Sequence, residues 1–346
     1  MNHPLTMCTR YTRLGASSRL RFHCYADALR EAGYRVAIDA FYPDEYLRKL
    51  YTGAGPSRFL AARALATRLW RTLTLPERLI VEYELLPFVP FSIERRLLGN
   101  RRYILNFDDN VWEKYAALPR LRDKYDQLIT KAAGVIAANA FLREKISKFN
   151  SRVIEIPTAV TFADYQLDVA KRPGLALCWI GTPVTYFYLE RFADTLRAMA
   201  EKVDFTLVVI ARKSLESRRI AGVKQEFLDW SEATEATEIK RCHIGIMPLL
   251  DDEFSRGKSA YKLIQCLAAG LPVIASPVGE NCRVVNDTCG FLAADPAEWV
   301  AALEKLTDPA VYRALASGAT ARSRDYSLET WRPRYVDFVK MCFGDE

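Results

Sequence analysis

Apolar and polar positions form two different patterns along this chain. Ten short apolar runs, many of them rich in Val and Ile, are typical of buried strands: LTMC, RVAIDAF, RLIVEY, YILNF, GVIAAN, VIEIP, LALCWIG, FTLVVIA, HIGIMPL and LPVIAS. Between many of them lie longer segments such as RFHCYADALREAG, in which apolar residues recur at helical spacing. This alternation predicts βα units, and therefore an α/β protein whose parallel sheets carry helices on both faces.

The same pattern predicts two domains. The polar stretch 164–174, DYQLDVAKRPG, contains the Pro-Gly punctuation of a linker. The strand candidates on either side of it would build one sheet each. We therefore predict two doubly wound, Rossmann-like domains joined near residue 170, with a ligand cleft between their strand ends.

Size and composition indicate a globular protein. With 346 residues, of which 50% are hydrophobic, the chain is long enough for two domains that each bury a core. No apolar run reaches the roughly 20 residues of a membrane-spanning helix, and the N-terminal MNHPLTMCTRYTRLGASS lacks the apolar centre of a secretory signal. We therefore expect a cytoplasmic protein. Eight scattered cysteines without a CxxC pair and three isolated His predict reduced thiols and no metal site.

Charge is distributed unevenly between the two halves. Residues 1–170 contain 26 Lys and Arg against 18 Asp and Glu, whereas residues 171–346 contain 23 against 24. A basic first half indicates an anionic partner, and charge alone leaves nucleic acid, lipid and a phosphorylated acceptor open. The half has no recognisable nucleic-acid-binding motif, which argues against nucleic acid. A dinucleotide-dependent redox enzyme is disfavoured too, because no GxGxxG follows the first strand.

Positive charge gathers at the start of one predicted helix. The stretch 251–277 reads DDEFSRGKSAYKLIQCLAAGLPVIASP and follows the strand HIGIMPLL. It predicts a loop, a helix from about residue 259 to 269, and the next strand. Unpaired N–H groups at the helix start and the ammonium groups of Lys258 and Lys262 would converge on one point. Such a point suits a diphosphate, and a solvated basic turn is the alternative; the GxxxxGK[ST] pattern of a P-loop is absent.

The run IGIMPL…GKSAYKLIQCLAAGLPVIASPVGEN resembles the donor-binding motif of retaining GT-B glycosyltransferases of family 4. More narrowly, it resembles a bacterial branch that builds surface polysaccharides. Weaker pieces spread over most of the chain match the same family: TRYTRLGASSRLRF, NFDDNVW, IPTAV, CWIGTP and SLETWRPRYVDFV. The resemblance implies a GT-B architecture with an acceptor-binding domain (1–168), a nucleotide-sugar-binding domain (169–326) and a C-terminal helix (327–346) that packs back on the first domain.

The resemblance also implies an activity. A sugar would pass from a nucleotide sugar, expected to be a UDP sugar, to a polysaccharide or lipid-linked glycan, with retention of configuration and without a metal or other cofactor. Protein cations must then neutralise the leaving diphosphate, and Lys258 and Lys262 are the expected catalytic pair. Donor contacts are expected from Gly181, Thr182, Arg212, Lys213, Trp230, Glu253, Arg256, Gly257, Ser259, Ala260, Tyr261 and Gln265.

Two departures from the family pattern keep an alternative open. Many relatives have Glu-x7-Glu where this chain has Gly257 and Gln265. In those relatives the first Glu contacts the donor sugar and the second contacts the ribose. The Gln265 amide can still hydrogen-bond the ribose, but the contact to the donor sugar must come from elsewhere, with Glu253 and Asp252 as candidates. The Arg and Lys that many relatives place after the CWIGTP-like strand are also missing, and we infer that Lys258 and Lys262 replace them. The alternative is a non-catalytic nucleotide-sugar-binding protein with a degenerate site. Trp230 could stack on the base, and a core position is its other interpretation.

Acidic side chains follow two strands of the first half. Asp108 and Asp109 come directly after YILNF, where a carboxylate could accept sugar hydroxyls or stabilise an oxocarbenium-like centre as a catalytic group. Their alternative role is to cap the helix that begins near VWEKY. Glu82 and Glu84, at the end of RLIVEY and just after it, are expected to bind acceptor hydroxyls.

The loop LGASSRLRF after the first strand is a second acceptor-binding candidate. Gly15 would allow a tight turn, and Arg19 would meet a phosphate. Ser17 and Ser18 would bind the acceptor or cap the next helix, and both interpretations stay open.

The segment 56–73, PSRFLAARALATRLWRTL, predicts an amphipathic helix. Its apolar stripe consists of Phe59, Ala62, Ala66, Leu69, Trp70 and Leu73, and its arginines lie mostly off that stripe. We predict that the stripe packs into the core and that the basic face is solvated. Contact of the helix with an anionic membrane, on its inner face, is the alternative.

Overall fold

The computed structural model describes residues 3–52 and 55–344. The chain forms two compact units. The first holds the residues up to 158, the short segment 257–259 and the residues from 331 onward; the second holds 159–256 and 260–330. Over the described part of the chain, no helix is both long and apolar enough to cross a membrane.

The first unit is built on a parallel six-stranded sheet with the order β2-β1-β3-β4-β5-β6. Its strands are β1 (His3–Thr9), β2 (Tyr34–Ala40), β3 (Arg78–Glu82), β4 (Arg102–Phe107), β5 (Gly134–Ala137) and β6 (Val153–Glu155). Its helices are α1 (Ala16–Arg21), α2 (Ala26–Glu31), α3 (Asp44–Tyr51), α4 (Arg58–Arg71), α5 (Phe91–Leu98), α6 (Glu113–Ala116), α7 (Lys124–Lys131) and α8 (Ala140–Ser147). The strand order reverses between β1 and β3, the position at which open α/β sheets bind ligands.

The second unit repeats this design with the order β12-β11-β10-β7-β8-β9. Its strands are β7 (Ala176–Ile180), β8 (Thr206–Ala211), β9 (Gln225–Asp229), β10 (Ile244–Met247), β11 (Val273–Ala275) and β12 (Gly290–Leu292). Its helices are α9 (Phe187–Arg191), α10 (Ala193–Lys202), α11 (Glu235–Lys240), α12 (Glu253–Arg256), α13 (Tyr261–Ala268), α14 (Asn281–Val284), α15 (Pro296–Leu306) and α16 (Pro309–Ser323). Here the strand order reverses between β7 and β10.

The last helix, α17 (Leu328–Phe343), belongs to the first unit from Trp331 onward. Tyr335 stacks on Tyr25 with ring centroids 4.1 Å apart, and the Arg102 guanidinium donates to the backbone carbonyl of Phe343 at 2.6 Å. These contacts fix the helix by both aromatic packing and backbone hydrogen bonds.

The α/β architecture predicted from the sequence is confirmed, since both sheets are parallel and each of the ten apolar runs falls on a strand. Two strands, β9 and β12, were not predicted. They form the two edges of the second sheet. An edge strand needs less apolar surface than a central one, so the short QEFLD and GFL segments give a weak signal.

The orientation predicted for α4 is wrong. Its buried face is formed by Leu60, Ala64 and Arg68, whereas Phe59 and Trp70 of the predicted core stripe are 73% and 71% exposed. Leu60 and Ala64 pack with the aromatic cluster of Phe41, Tyr42 and Tyr46. The buried Arg68 guanidinium lies 3.2 Å from a carboxylate oxygen of Asp39 and donates to the Asp39 backbone carbonyl at 2.8 Å. The ion pair between Arg68 and Asp39 therefore determines which side of α4 is buried. Hydrophobic periodicity in the sequence cannot indicate such a pair.

Candidate functional site

The strand ends at the reversal point of the first sheet carry a hydrogen-bonded carboxylate. Glu82, the last residue of β3, is 2% exposed. Its carboxylate accepts hydrogen bonds from the Ser17 hydroxyl at 2.5 Å, the Ser18 hydroxyl at 2.6 Å and the Arg10 backbone N–H at 2.7 Å. Both serines lie in α1, directly after the loop that follows β1, so the structure brings three predicted acceptor-binding residues together.

Asp108 extends this cluster. Its carboxylate accepts hydrogen bonds from the Tyr83 hydroxyl and, at 3.2 Å, from the Ser17 hydroxyl. Because one hydroxyl has a single hydrogen, Ser17 cannot donate to Glu82 and Asp108 at the same time. Burial, followed by the Asp108 charge, raises the pKa of Glu82. A proton on Glu82 would complete a chain of donors that runs from Glu82 through Ser17 to Asp108.

Tyr83 is a member of this cluster that sequence reasoning missed. It lies in the left-handed region of the backbone map, at φ 60°, which is uncommon for any residue except glycine. Such strain is retained only where the surrounding structure holds it, and it concentrates at functional sites. The only signal in the sequence was its place between Glu82 and Glu84.

Several predictions for the first loop need correction. Helix α1 begins at Ala16, and Gly15 occupies its N-cap position without a side-chain capping hydrogen bond. Ser17 and Ser18 therefore lie inside the helix and do not cap it. The Gly15 N–H does close a turn, by donating to the Thr12 carbonyl at 3.0 Å. Arg19 is buried, which does not favour the expected phosphate contact.

The role of a helix cap, left open for Asp108 and Asp109, is also excluded. Helix α6 begins at Glu113, and Trp112 occupies its N-cap position. The two aspartates instead follow β4 directly. Burial raises the pKa of Asp109 to about 6, the Lys258 charge lowers it and the Asp108 charge raises it. Asp109 therefore titrates close to neutral pH.

Lys258 belongs to the segment 257–259 of the first unit. The Asn139 side-chain amide donates to the backbone carbonyls of Gly257 at 2.8 Å and of Lys258 at 3.2 Å. A Cβ added at Gly257 would lie 2.6 Å from the Asn110 Cβ, so only glycine fits here. The absence of a side chain at Gly257 therefore serves packing against Asn110, and the half-buried Ser259 completes the segment.

Glu84 lies in a buried network apart from Glu82. Its carboxylate accepts hydrogen bonds from the ammonium groups of Lys114 and Lys124, both at 2.6 Å, and from the hydroxyl of Tyr115 at 2.9 Å. Burial alone would raise the pKa of Glu84, but the two lysines more than offset it and the pKa lies below its ordinary value. A carboxylate with this many internal partners favours a structural role over acceptor binding.

In the second unit, Lys262 lies at the reversal point of the sheet. Its ammonium donates to the Thr185 hydroxyl at 3.4 Å and lies 4.2 Å from the ring centroid of Trp179. Thr185 ends the short 3-10 turn that follows β7, and Trp179 is inside β7. The structure therefore brings Lys262 to the turn that contains Gly181 and Thr182, two predicted donor-binding residues.

This turn depends on the glycine. A Cβ added at Gly181 would lie 2.4 Å from the outer edge of the Trp179 indole and 2.8 Å from the Thr185 hydroxyl. Thr182 and Thr185 close the turn with reciprocal capping hydrogen bonds. Sequence reasoning missed Thr185 and Trp179, because their contacts with Lys262 span about eighty residues of chain.

The helix predicted from about residue 259 begins two residues further along the chain. Helix α13 starts at Tyr261, and Ala260 before it is left-handed with φ 51°. This turn separates Lys258, in the first unit, from Lys262, in the second. Tyr261 is half-buried against the apolar core of the second unit.

Gln265 is 2% exposed, and its amide nitrogen donates to the Tyr165 hydroxyl at 2.9 Å. The expected contact with ribose would require this buried amide to face a ligand as well. A packing role of Gln265 is the simpler interpretation, because Gln265 is buried and its partner Tyr165 belongs to the apolar core of the second unit.

The remaining donor candidates follow other strands of the second unit. Arg212 and Lys213 come directly after β8, and the Lys213 N–H donates to Asp229 at 2.9 Å. The Trp230 indole N–H donates to Glu235 at 2.6 Å while its ring packs against the core. Two further candidates lie on the exposed α12: Glu253 begins the helix, and Arg256 ends it in a two-point ion pair with Asp251.

Residues 177–308 match the family model of the glycosyl transferases group 1. This match confirms the predicted enzyme class, a glycosyltransferase. The matched range contains Lys262 and every donor candidate of the second unit. Glu82 and Asp108 lie outside it. Among curated proteins, no sequence matches this chain.

Solved structures resemble the whole chain in fold. HepE of Anabaena, in complex with UDP, has a TM-score of 0.69 at 13% identity over 98% of this chain and 99% of its own. Sucrose-phosphate synthase from Thermosynechococcus elongatus has a TM-score of 0.69 at 17% identity, and a glycosyltransferase from Rickettsia africae one of 0.67 at 12% identity, each over 100% of both chains. The GT-B fold predicted from the sequence is thereby confirmed.

Proposed function

We propose that this protein transfers a sugar from a nucleoside diphosphate sugar to a hydroxyl of a polysaccharide or lipid-linked glycan. A UDP sugar is the first donor to test, because HepE, which shares the fold, has been crystallised with UDP and with UDP-glucose. Retention of configuration and independence of metal are part of the proposal, and the resemblance to family 4 motivates both.

The observation that carries the proposal is the contact of Lys262 with the turn after β7. This turn lies at the reversal point of the second sheet, where α/β folds bind ligands, within the range that matches the group 1 family model. Many of the family 4 glycosyltransferases that this chain resembles have an Arg and a Lys directly after the strand that corresponds to β7. Here the Lys262 ammonium reaches the same turn from α13, through the Thr185 hydroxyl.

A cation at that turn suits the charge that develops during transfer. The bond between the sugar C1 and the donor phosphate oxygen breaks, and the electron pair leaves with the diphosphate. Lys262 would stabilise this negative charge. A bond forms between C1 and the acceptor oxygen, and the acceptor proton passes to the departing phosphate. No separate base is required on this route.

The cluster of Glu82, Asp108, Ser17 and Tyr83 would position the acceptor. Its carboxylates accept hydrogen bonds from internal hydroxyls, and an acceptor sugar offers hydroxyls of the same kind. Asp109 would add a group that titrates near neutral pH.

The test is the rate of UDP release from a panel of UDP sugars, with wild type, Lys262→Met and Lys202→Met as the matched control. Lys202 is an exposed lysine at the end of α10. We expect Lys262→Met to lower kcat at least about a hundredfold, as loss of an electrostatic contact to a transition state does. Lys202→Met should retain wild-type activity.

The same panel of UDP sugars tests the alternative function, that of a non-catalytic nucleotide-sugar-binding protein. A wild type that binds UDP sugars but neither hydrolyses nor transfers them would support the alternative and contradict the proposal. Retention is checked by the anomeric NMR signal of the product at early times. Metal independence is checked by activity after exhaustive chelation.

A further inference from the structure

Helix α4 presents an apolar face to solvent. Phe59, Trp70 and Leu73, which follows the helix in a 3-10 turn, are 73%, 71% and 74% exposed. At 100° per residue they project from one side of the helix, opposite the buried Leu60 and Arg68. Large apolar side chains that share one exposed face mark an interaction site rather than ordinary surface.

The same face is basic. Residues 58–73 include four arginines and no Asp or Glu. Arg58 and Arg63 are exposed, and Arg63 lies between Phe59 and Trp70 on the apolar side. Arg68 and Arg71 both pair with Asp39, which anchors the helix to the sheet. The outward face therefore combines large exposed apolar side chains with two exposed arginines, Arg58 and Arg63.

This combination favours one occupant, an anionic lipid surface. Aromatic and aliphatic side chains partition into the headgroup region while arginines meet lipid phosphates. A symmetric pair of copies would place this face against the same face of the second copy, and residues 58–73 offer that copy arginines but no Asp or Glu, so like charges oppose that arrangement. The helix of 14 residues is about 21 Å long, too short to cross a bilayer but long enough to lie in its plane.

We propose that α4 docks this protein on an anionic membrane, with Phe59, Trp70 and Leu73 inserted among the lipids and Arg58 and Arg63 at the phosphates. The inference stands on this helix face and does not rest on the proposed transferase activity. It goes beyond that activity by assigning the membrane contact to specific residues, and it reverses the orientation expected from the sequence.

The experiment is sedimentation of the full-length protein with vesicles of phosphatidylcholine, alone or with about one third phosphatidylglycerol. Wild type should bind the anionic vesicles selectively, and binding should weaken between about 0.05 and 0.5 M NaCl. Trp70→Glu should weaken binding at least about tenfold, whereas Met341→Glu, at an exposed apolar residue of α17, should not. Arg63→Ala should weaken it about fivefold and the control Lys202→Ala should not.

Thermal melting of each variant verifies folding, and sedimentation velocity reports self-association. Equal binding to neutral and anionic vesicles would overturn the proposal. So would wild-type affinity in folded Trp70→Glu. If Trp70→Glu instead dissociates a dimer of the wild type and no lipid binding is seen, the face is a protein interface and the proposal is wrong. Donor affinity, measured in the same variants, should stay unchanged, which separates this test from that of the transferase.

Discussion

Asp109 gives the sharpest prediction about stability. Its pKa is raised from 3.8 to about 6, chiefly by burial. A carboxyl group with a raised pKa binds its proton more tightly in the folded state than in the unfolded state. The stability that it confers is therefore complete below pH 3.8 and is lost as pH rises through 6.

The size of this loss follows from the shift. Between pH 4 and pH 7 a full shift to about 6 would cost about 2.4 kcal/mol, at 1.36 kcal/mol per pKa unit. Asp109 retains part of its solvent exposure, which lets water stabilise the carboxylate. We therefore expect a cost of about 1 to 2 kcal/mol, or roughly 2 to 8 °C in the melting temperature of a unit of this size.

Asp109→Asn removes the titration without removing the side chain. The difference in melting temperature, variant minus wild type, should rise by this amount between pH 4 and pH 7, while any constant effect of the substitution cancels. Gln127→Asn, at an exposed position of α7, changes no titratable group and is the control, so it should give a flat difference. The Lys258 charge lowers the pKa of Asp109. When Asp109→Asn is compared with its parent in a Lys258→Met background, the rise of the melting-temperature difference should therefore have its midpoint at higher pH. A pH-independent difference for Asp109→Asn would refute the reasoning.

Three further changes test the packing of the sites, each by thermal melting. Lys124→Met should lower the free energy of unfolding by about 3 to 5 kcal/mol, because it leaves Glu84 buried without one of its cations; a loss below about 1 kcal/mol would contradict this. Ala260→Gly should be neutral or stabilising at φ 51° and Ala260→Val destabilising, and the reverse order would exclude strain there. Gly181→Ala should displace the Trp179 indole and weaken UDP binding along with stability, whereas unchanged affinity would separate the turn from the donor site.

The sequence predicted the sheets well because buried parallel strands are continuous apolar runs. YILNF and LALCWIG have this form, and both occupy interior positions of their sheets. The edge strands β9 and β12 lack it. The edge strands β2 and β6 of the first sheet do contain apolar runs, whereas β9 and β12 are defined by their partners in the sheet, which the local pattern does not contain.

The orientation of α4 shows a different limit. Periodicity reported an apolar stripe correctly but gave no information on what the stripe faces. The decision came from Arg68, which pairs with Asp39 at the end of β2 and so buries the opposite side. A contact between residues far apart in the chain thus outweighed the local hydrophobic pattern.

The same distinction between local patterns and distant contacts applies to the residues of the candidate sites. Lys262, Glu82 and Asp108 could be named from a strand–loop–helix pattern or an acidic strand end, because those signals are local. Tyr83 and Thr185 could not, since their roles arise from backbone geometry and from contacts with distant residues. The serines of α1 were identified as candidates, but their hydroxyls bind Glu82 instead of capping a helix.

The most direct test of the account is a crystal structure with a bound UDP sugar. We predict that a diphosphate oxygen lies within about 4 Å of the Lys262 ammonium, beside the Gly181–Thr185 turn. A diphosphate bound elsewhere, with Lys262 still against Thr185 and Trp179, would contradict the assignment of this turn as the donor site.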